Sequence, residues 1–118
     1  PVDYARATSV EHALELLEGV LLYRPHDPEI NYKAGCLALE LETLAEAREY
    51  AQAALAQRPE VAAYHGLLGR VYAEQADLGH AREALEKAIA LDPDDAKSRK
   101  ALASLRIGRK RSAGGVTR

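Results

Sequence analysis

The chain has 118 residues, enough for one small domain and too few for two ordinary ones. It is 47% hydrophobic and 29% charged, Ala and Leu dominate, and Phe, Trp and Met are absent. This composition favours closely packed helices and argues against a β-sandwich, whose strands need β-branched and aromatic residues. A single Cys excludes an internal disulfide, and no apolar run approaches the roughly 20 residues of a membrane span. Because the chain opens at Pro1 and lacks Met, we expect a fragment or a processed product.

Charge is distributed unevenly along the chain. Residues 1–95 carry all 18 acidic side chains and 8 basic ones, whereas residues 96–118 carry 8 basic side chains and no acidic one. The net charge is therefore −10 for the first part and +8 for the second. An acidic body with a basic end indicates either a charged partner or simple complementation of the negative end of the last helix.

A repeat period of about 34 residues organises the chain, and several independent rows of residues share it. The rows are Pro25, Pro59 and Pro93; Ser9, Thr43 and Asp77; Val10, Leu44 and Leu78; Ala13, Ala47 and Ala81; and Gly35 and Gly69. The second row consists of good helix N-cap residues, whose side-chain oxygens accept a free backbone N–H. Glu46 follows Thr43 by three residues, which predicts a capping box.

Apolar residues at helical spacing predict two helices in each period. In chain order, the predicted helices cover about residues 1–7, 10–23, 28–41, 44–57, 61–75, 78–91 and 96–107. The predicted N-caps are Ser9, Asp27, Thr43, Asp77 and either Asp94 or Asp95. Gly108 is the predicted stop, and the residues after it lack periodicity, which predicts a disordered basic tail.

Residues 62–95 resemble a tetratricopeptide repeat almost throughout. The matching residues are Leu68, Gly69 and Tyr72 in the first helix, Ala81, Leu85 and Ala88 in the second, and the closing Pro93. Residues 28–60 resemble the motif more loosely, with Ala34 and Ala38 where Leu and Tyr are usual. The resemblance implies an all-α fold, a right-handed superhelical array of antiparallel helix hairpins. The implied domain (1–107) has a partial repeat (1–25), repeats 28–59 and 62–95, and a capping helix (96–107), followed by the basic tail (108–118).

The sequence predicts neither a catalytic site nor a metal site. Its histidines lie on different segments without a His–x3–His pair, and Cys36 has no evident activating partner. The acidic run 92–95 lacks the ligand spacing and the Gly of a calcium loop, and it lies where a helix cap is required. Gly66 and Gly69 fall inside a predicted helix, not in a phosphate-binding loop. We therefore expect a protein that is not an enzyme and has no cofactor.

The resemblance also implies a concave groove lined by the first helix of each hairpin. Carried onto this sequence, the groove residues are Tyr32, Lys33, Cys36, Leu39, Glu40, Leu67, Arg70, Glu74, Lys97 and Lys100. Tyr32, Cys36, Leu39 and Leu67 would form an apolar strip between charges, which suits a peptide anchored by one or two apolar side chains. The alternative for Leu39 and Leu67 is that they pack against neighbouring helices.

Family members that bind the C-terminal carboxylate of chaperones carry a clamp of Lys, Asn, Asn, Lys and Arg in this groove. The corresponding positions here are Tyr32, Cys36, Leu67, Lys97 and Ala101, and only Lys97 agrees. We therefore expect a protein or peptide partner that is recognised by other contacts.

The sequence predicts a non-catalytic protein-interaction module, a scaffold, adaptor or chaperone-like part of a larger protein. One alternative is weak self-association, in which the basic end of one molecule meets the acidic body of another. Another is binding of nucleic acid or an anionic membrane by the basic tail at Arg109, Lys110 and Arg111. Against this last alternative, no aromatic residue follows Tyr72 to stack on bases, and the acidic body repels a polyanion.

Overall fold

The computed structural model describes residues 4–105, and it describes side chains from residue 7 onwards. These residues form an all-α array without a strand. Its helices are α1 (Tyr4–Tyr23), α2 (Pro28–Glu40), α3 (Leu44–Gln57), α4 (Ala62–Glu74), α5 (Leu78–Leu91) and α6, which is helical over residues 96–105. The predicted fold class is confirmed. The predicted stop at Gly108 and the predicted tail over 108–118 lie outside the described residues.

Neighbouring helices pack in sequence order, with α2 against α3 and α4 against α5 as the two complete hairpins. Connections of three or four residues between packed helices require antiparallel neighbours. The hairpins stack through α3 against α4, and α1 packs against α2. Every helix from α2 to α5 begins and ends within about one residue of its predicted bounds, because the repeat period locates both the caps and the loops.

The loops within the two complete hairpins, one period apart, have the same backbone conformation. The amide of Thr43 donates to the Ala38 carbonyl and that of Asp77 to the Tyr72 carbonyl, the six-residue bond of a Schellman motif. The residues before them, Glu42 and Ala76, have φ of 60° and 61°. Glycine usually takes this left-handed position, so both hairpins carry a small backbone strain at the turn.

Three of the predicted N-caps make the expected hydrogen bond. The Asp27 carboxylate accepts from the Ile30 amide at 3.1 Å, and the Asp77 carboxylate accepts from the His80 amide at 3.3 Å. The Asp95 carboxylate accepts from the amide of Ser98 at 3.1 Å, so Asp95 rather than Asp94 caps α6.

Two capping predictions were wrong. Ser9 lies inside α1, which runs unbroken from Tyr4 to Tyr23, so residues 4–9 extend this helix instead of ending an earlier one. Thr43 makes no side-chain cap to α3, and the predicted capping box with Glu46 is absent. Instead the Thr43 hydroxyl donates to the Ala38 carbonyl at 3.1 Å. The Thr43 hydroxyl can donate, so it bonds one of the free carbonyls at the end of α2. The carboxylate of Asp77, at the equivalent position, can only accept, so it bonds an amide at the start of α5 instead.

A polar side chain joins each first helix to the proline that ends the preceding period. The donors are Asn31 Nδ2 to Pro25 O at 3.1 Å, His65 Nε2 to Pro59 O at 2.7 Å, and Arg99 to Pro93 O at 3.2 Å. Successive donors are one period apart, although their side chains share no chemistry beyond an N–H. The first residues of α6 therefore occupy the same position in the array as those of α2 and α4.

The core is built of small side chains, with fully buried Ala from α2, α3 and α5 around Leu67, Val71 and Leu85. Helices approach closely where the first helix presents a glycine. A Cβ at Gly69 would lie 2.6 Å from Leu85 Cγ, and one at Gly35 would lie 2.7 Å from Leu67 Cδ2. Leu85 is fully buried, as the period predicts, and Tyr72 is partly buried with its ring 5.2 Å from that of His80.

None of the helices in the described range combines the length and the hydropathy that crossing a bilayer requires.

Candidate partner-binding groove

Two adjoining cavities lie along the side of the array where α2, α4 and α6 face one another. The Asp95 cavity, of about 340 Å³, is lined by Tyr32, Ala63, Gly66, Arg70, Asp92, Asp94, Asp95, Ala96, Lys97 and Ser98. The Lys100 cavity, of about 660 Å³, is lined by Leu39, Glu40, Glu42, Arg70, Ala73, Glu74, Lys97, Lys100, Ala101, Ser104 and Leu105. Arg70 and Lys97 line both cavities, so the two form one continuous surface.

Arg70 lies where the two cavities meet. Its Nε atom is buried and finds no hydrogen-bond partner among the described residues. A guanidinium N–H that is removed from water and left unpaired costs free energy, and a ligand that accepts a hydrogen bond there removes this cost. Lys97 and Lys100 add positive charge on the side of α6.

Tyr32 supplies the polar hydroxyl of the Asp95 cavity. Its ring lies 5.1 Å from that of buried Tyr64 at a tilt of 34°, which fixes its orientation. Burial raises the pKa of the Tyr32 hydroxyl to about 12, and Cys36 and Asp95 reinforce the rise whereas Arg70 opposes it. The hydroxyl therefore stays protonated near neutral pH.

Asp95 and Ser98 position the α6 wall of the Asp95 cavity. The Ser98 hydroxyl is buried and donates to the Asp95 carboxylate at 2.7 Å, while the same carboxylate caps α6. Gly66 makes room for this pair, because a Cβ there would lie 2.5 Å from Ser98 Oγ. Lys97 follows in the first turn of the same helix and lines both cavities.

Seven of the ten residues that the sequence placed in the groove line these cavities: Tyr32, Leu39, Glu40, Arg70, Glu74, Lys97 and Lys100. Leu67 was wrongly placed, because it is fully buried and packs in the core against Val71. Lys33 and Cys36 line neither cavity; Lys33 is exposed, and Cys36 packs against the core.

Sequence reasoning missed the contribution of the loop before α6, Asp92 and Asp94, and that of Ala73 and Leu105. Ala101, one of the clamp positions that the resemblance places in the groove, lines the Lys100 cavity. The sequence assigns the loop carboxylates only to capping. Asp95 does cap α6, and it also lines the Asp95 cavity. No cluster of His, Cys, Asp or Glu that suits a metal ion occurs within residues 4–105.

Comparison with known proteins gives a consistent result. A tetratricopeptide repeat model matches three overlapping stretches, residues 3–62, 32–96 and 67–114. No curated protein sequence matches the chain.

Among solved structures, the MamA 41-end chain of Desulfovibrio magneticus RS-1 is similar, with 26% identity and a TM-score of 0.81 over 90% of this chain. The chain spans only 60% of that MamA chain. The Sgt2 TPR domain of Aspergillus fumigatus shares the fold, with a TM-score of 0.85, 21% identity, and coverage of 97% of this chain and 76% of that one.

A third similar structure is the first TPR of Spaghetti (RPAP3) bound to the HSP90 peptide SRMEEVD. It has a TM-score of 0.81 and 15% identity, over 91% of this chain and 85% of that one. At this identity the likeness shows a shared fold, and the bound peptide is a property of the RPAP3 domain.

Proposed function

The chain belongs to the tetratricopeptide repeat family, and on that premise we propose that it is a non-catalytic protein-interaction module. Its binding surface is the groove formed by the Asp95 and Lys100 cavities, and its ligand is a peptide segment of a partner protein. The module acts as a scaffold or adaptor part of a larger protein. The RPAP3 structure supports the proposal, since a domain of the same fold there holds a peptide.

The observation that carries the proposal is the unpaired, buried Nε of Arg70 at the junction of the two cavities. An unpaired buried donor is costly, so a ligand acceptor that reaches this atom would remove the cost. A carboxylate side chain of the partner fits this role, since it accepts from guanidinium and ammonium groups together. Arg70, Lys97 and Lys100 all face the Lys100 cavity.

The apolar lining of the Lys100 cavity indicates a second contact. Leu39, Ala73, Ala101 and Leu105 line it between the charged residues. An apolar side chain that lies beside the acidic residue of the peptide would lose water against this lining, at about 25 cal/mol per Å² of apolar area buried. The preferred ligand therefore pairs one carboxylate with one neighbouring apolar side chain.

This ligand differs from the terminal carboxylate that clamp-type relatives bind. Four of the five clamp positions, Tyr32, Cys36, Leu67 and Ala101, carry residues other than the clamp residues, and Leu67 is buried in the core. Internal acidic sequences should consequently bind as well as C-terminal ones.

The experiment uses a library of random peptides displayed on phage, selected on the chain with its groove unaltered. Selected peptides are then synthesised and titrated by fluorescence anisotropy. Arg70→Gln should weaken binding by about tenfold or more, as loss of a charged hydrogen-bond partner does. Arg82→Gln is the matched control, because Arg82 is exposed on α5 and lines neither cavity. Selected peptides that bind both variants equally would contradict the proposal.

A second pair of variants separates the groove from the basic tail. Tyr32→Ala combined with Arg70→Glu should abolish peptide binding, whereas removing residues 109–118 should leave it intact. If the tail carries the function, this dependence reverses, and binding to a polyanion falls steeply with salt because condensed counterions are released.

A further inference from the structure

The two ends of the described array carry complementary, incomplete halves of a repeat. The helix α1 matches the second helix of a hairpin, since its residues 10–23 lie one period before α3 and two periods before α5. The helix α6 matches the first helix of a hairpin, since it begins one period after α4. Within residues 4–105, α1 has no first helix packed on the side that α2 covers in α3.

The exposed residues of α1 show which face lacks a cover. Leu16 is 74% exposed and Val20 37% exposed. The corresponding residues of α5, Ala84 and Ala88, are buried, and Ala88 lies against α4, where a Cβ at Gly66 would be 3.9 Å from its own Cβ. Leu16 and Val20 are therefore exposed at repeat positions that are buried in α5.

Leu22 provides an internal contrast. It is 82% exposed, but its equivalents Ala56 and Ala90 are exposed as well. Leu22 thus lies on a face that stays in water in every repeat, whereas Leu16 and Val20 lie on a face that is covered in the complete repeats.

The helix α6 has the shape and the charge to be this cover. Ala103 corresponds to Gly35 and Gly69, the residues at which first helices touch their own second helices, and here it is exposed. The described part of α6 is basic, with Lys97, Arg99 and Lys100 and no acidic residue. On α1, exposed Glu15 adjoins Leu16 and supplies the opposite charge, whereas Glu11 and Glu18 lie on the other side of the helix, where Glu18 accepts from the Tyr50 hydroxyl.

We propose that the chain self-associates head to tail, with α6 of one copy packed on the Leu16–Val20 face of α1 in the next copy. The pair formed in this way is an intermolecular hairpin that continues the repeat period from copy to copy. Because α6 and α1 are different surfaces, the contact is heterologous, and the assembly is an open filament unless the rotation between copies closes a ring. No loop fixes the distance between α6 and α1 in this intermolecular pair. The two helices can therefore lie slightly farther apart than in an intramolecular hairpin, which leaves room for the methyl group of Ala103 where the complete hairpins have glycine.

The first test is sedimentation velocity of the full chain over a wide range of protein concentration. The wild-type chain should form species larger than a monomer, and these should weaken as salt screens the charged ends. Leu16→Glu should weaken association by about tenfold or more, because it places a charge in the apolar contact. Leu22→Glu should associate as the wild type does. Circular dichroism and urea midpoints of both variants establish that the fold is kept.

The second test fixes the register of the contact. In the hairpin of α2 and α3, a Cβ at Gly35 would lie 3.2 Å from Tyr50 Cβ. The corresponding intermolecular pair is Ala103 with Leu16, and this separation suits a disulfide, whose Cβ atoms are about 3.8 Å apart. Leu16→Cys and Ala103→Cys are made on separate copies that both carry Cys36→Ser, then mixed under mild oxidation. They should form a disulfide-linked pair, and Leu22→Cys mixed with Ala103→Cys should not.

Three results would overturn the proposal. A wild-type chain that is monomeric at every concentration and salt excludes a second copy as the cover of α1. Equal association of Leu16→Glu and Leu22→Glu shows that association uses another surface. Equal cross-linking from positions 16 and 22 shows that the two helices meet without a fixed register.

Discussion

Replacing Gly69 by Ala tests whether glycine sets the distance between α4 and α5. The added Cβ would lie 2.6 Å from Leu85 Cγ and 3.1 Å from the Leu85 backbone nitrogen. The first atom is a branch point of a fully buried side chain, and the second is helix backbone, so neither moves without shifting α5. Overpacking of this kind costs about 1–3 kcal/mol. Alanine regains about 1 kcal/mol of helix propensity. The expected net loss in unfolding free energy is therefore about 0–2 kcal/mol.

Gly19→Ala is the matched control, because Gly19 lies inside α1 with nothing within 4 Å of the added Cβ. It should raise the unfolding free energy by up to about 1 kcal/mol through helix propensity alone. Urea unfolding followed by circular dichroism measures both variants, and unchanged slopes show that the midpoints report stability. A Gly69→Ala variant as stable as Gly19→Ala would refute the reasoning.

The double variant with Leu85→Ala identifies the clashing partner. Leu85→Ala alone should cost about 2–5 kcal/mol, the usual loss for a fully buried leucine. With Leu85 truncated, the methyl group at position 69 no longer clashes with the Leu85 side chain and keeps only the 3.1 Å contact to the backbone nitrogen, so the two losses should fall short of additivity by about 1 kcal/mol. Strict additivity would place the strain of Gly69→Ala elsewhere.

Two further predictions follow from hydrogen bonds that the structure shows. Asp77→Ala should lower the free energy of unfolding by about 0.5–2 kcal/mol because the cap of α5 is lost. Thr43→Ala, at the equivalent position, should lower it less, since Thr43 does not cap α3. Urea midpoints compare the two variants, and equal losses would contradict the assignment. Burial, reinforced by the hydrogen bond to Glu18, raises the pKa of Tyr50 from 10.0 to about 12. This contribution to stability is complete below pH 10.0 and is lost as pH rises through about 12, so the urea midpoint of the wild type should fall across that range. Tyr50→Phe should make this fall smaller. An unchanged fall would exclude Tyr50 as its source.

The repeat period was sufficient to predict the helices of the complete repeats, because each helix end is set by a local signal. Proline and the turn recur at fixed places, N-cap bonds form at Asp27, Asp77 and Asp95, and none of these signals depends on distant contacts. At Ser9 the same signal failed. A serine caps a helix only if the chain turns before it, and no proline or glycine directly precedes Ser9 to cause a turn. Residues 4–9 therefore continue α1.

The groove was predictable as a face of the first helices but not residue by residue. A helix places Leu39 and Leu67 on one broad side, and helical spacing alone does not decide which of them a neighbouring helix covers. That depends on the close approach at Gly35, which brings Leu67 against α2 and buries it. The unpaired Nε of Arg70 likewise depends on tertiary packing, and nothing in the sequence distinguishes Arg70 from the other arginines.

At the start of the first helices, position in the repeat matters more than residue type. Asn31, His65 and Arg99 have unlike side chains, yet each donates to the carbonyl of the preceding proline. We expect a substitution at such a place to be tolerated when one side-chain N–H still reaches that carbonyl. Comparing equivalent repeat positions also helps to interpret the exposed residues at the ends of the array. An exposed leucine is ordinary on a protein surface. An exposed leucine at a position that is buried in the complete repeats marks a contact that the isolated chain leaves unmade.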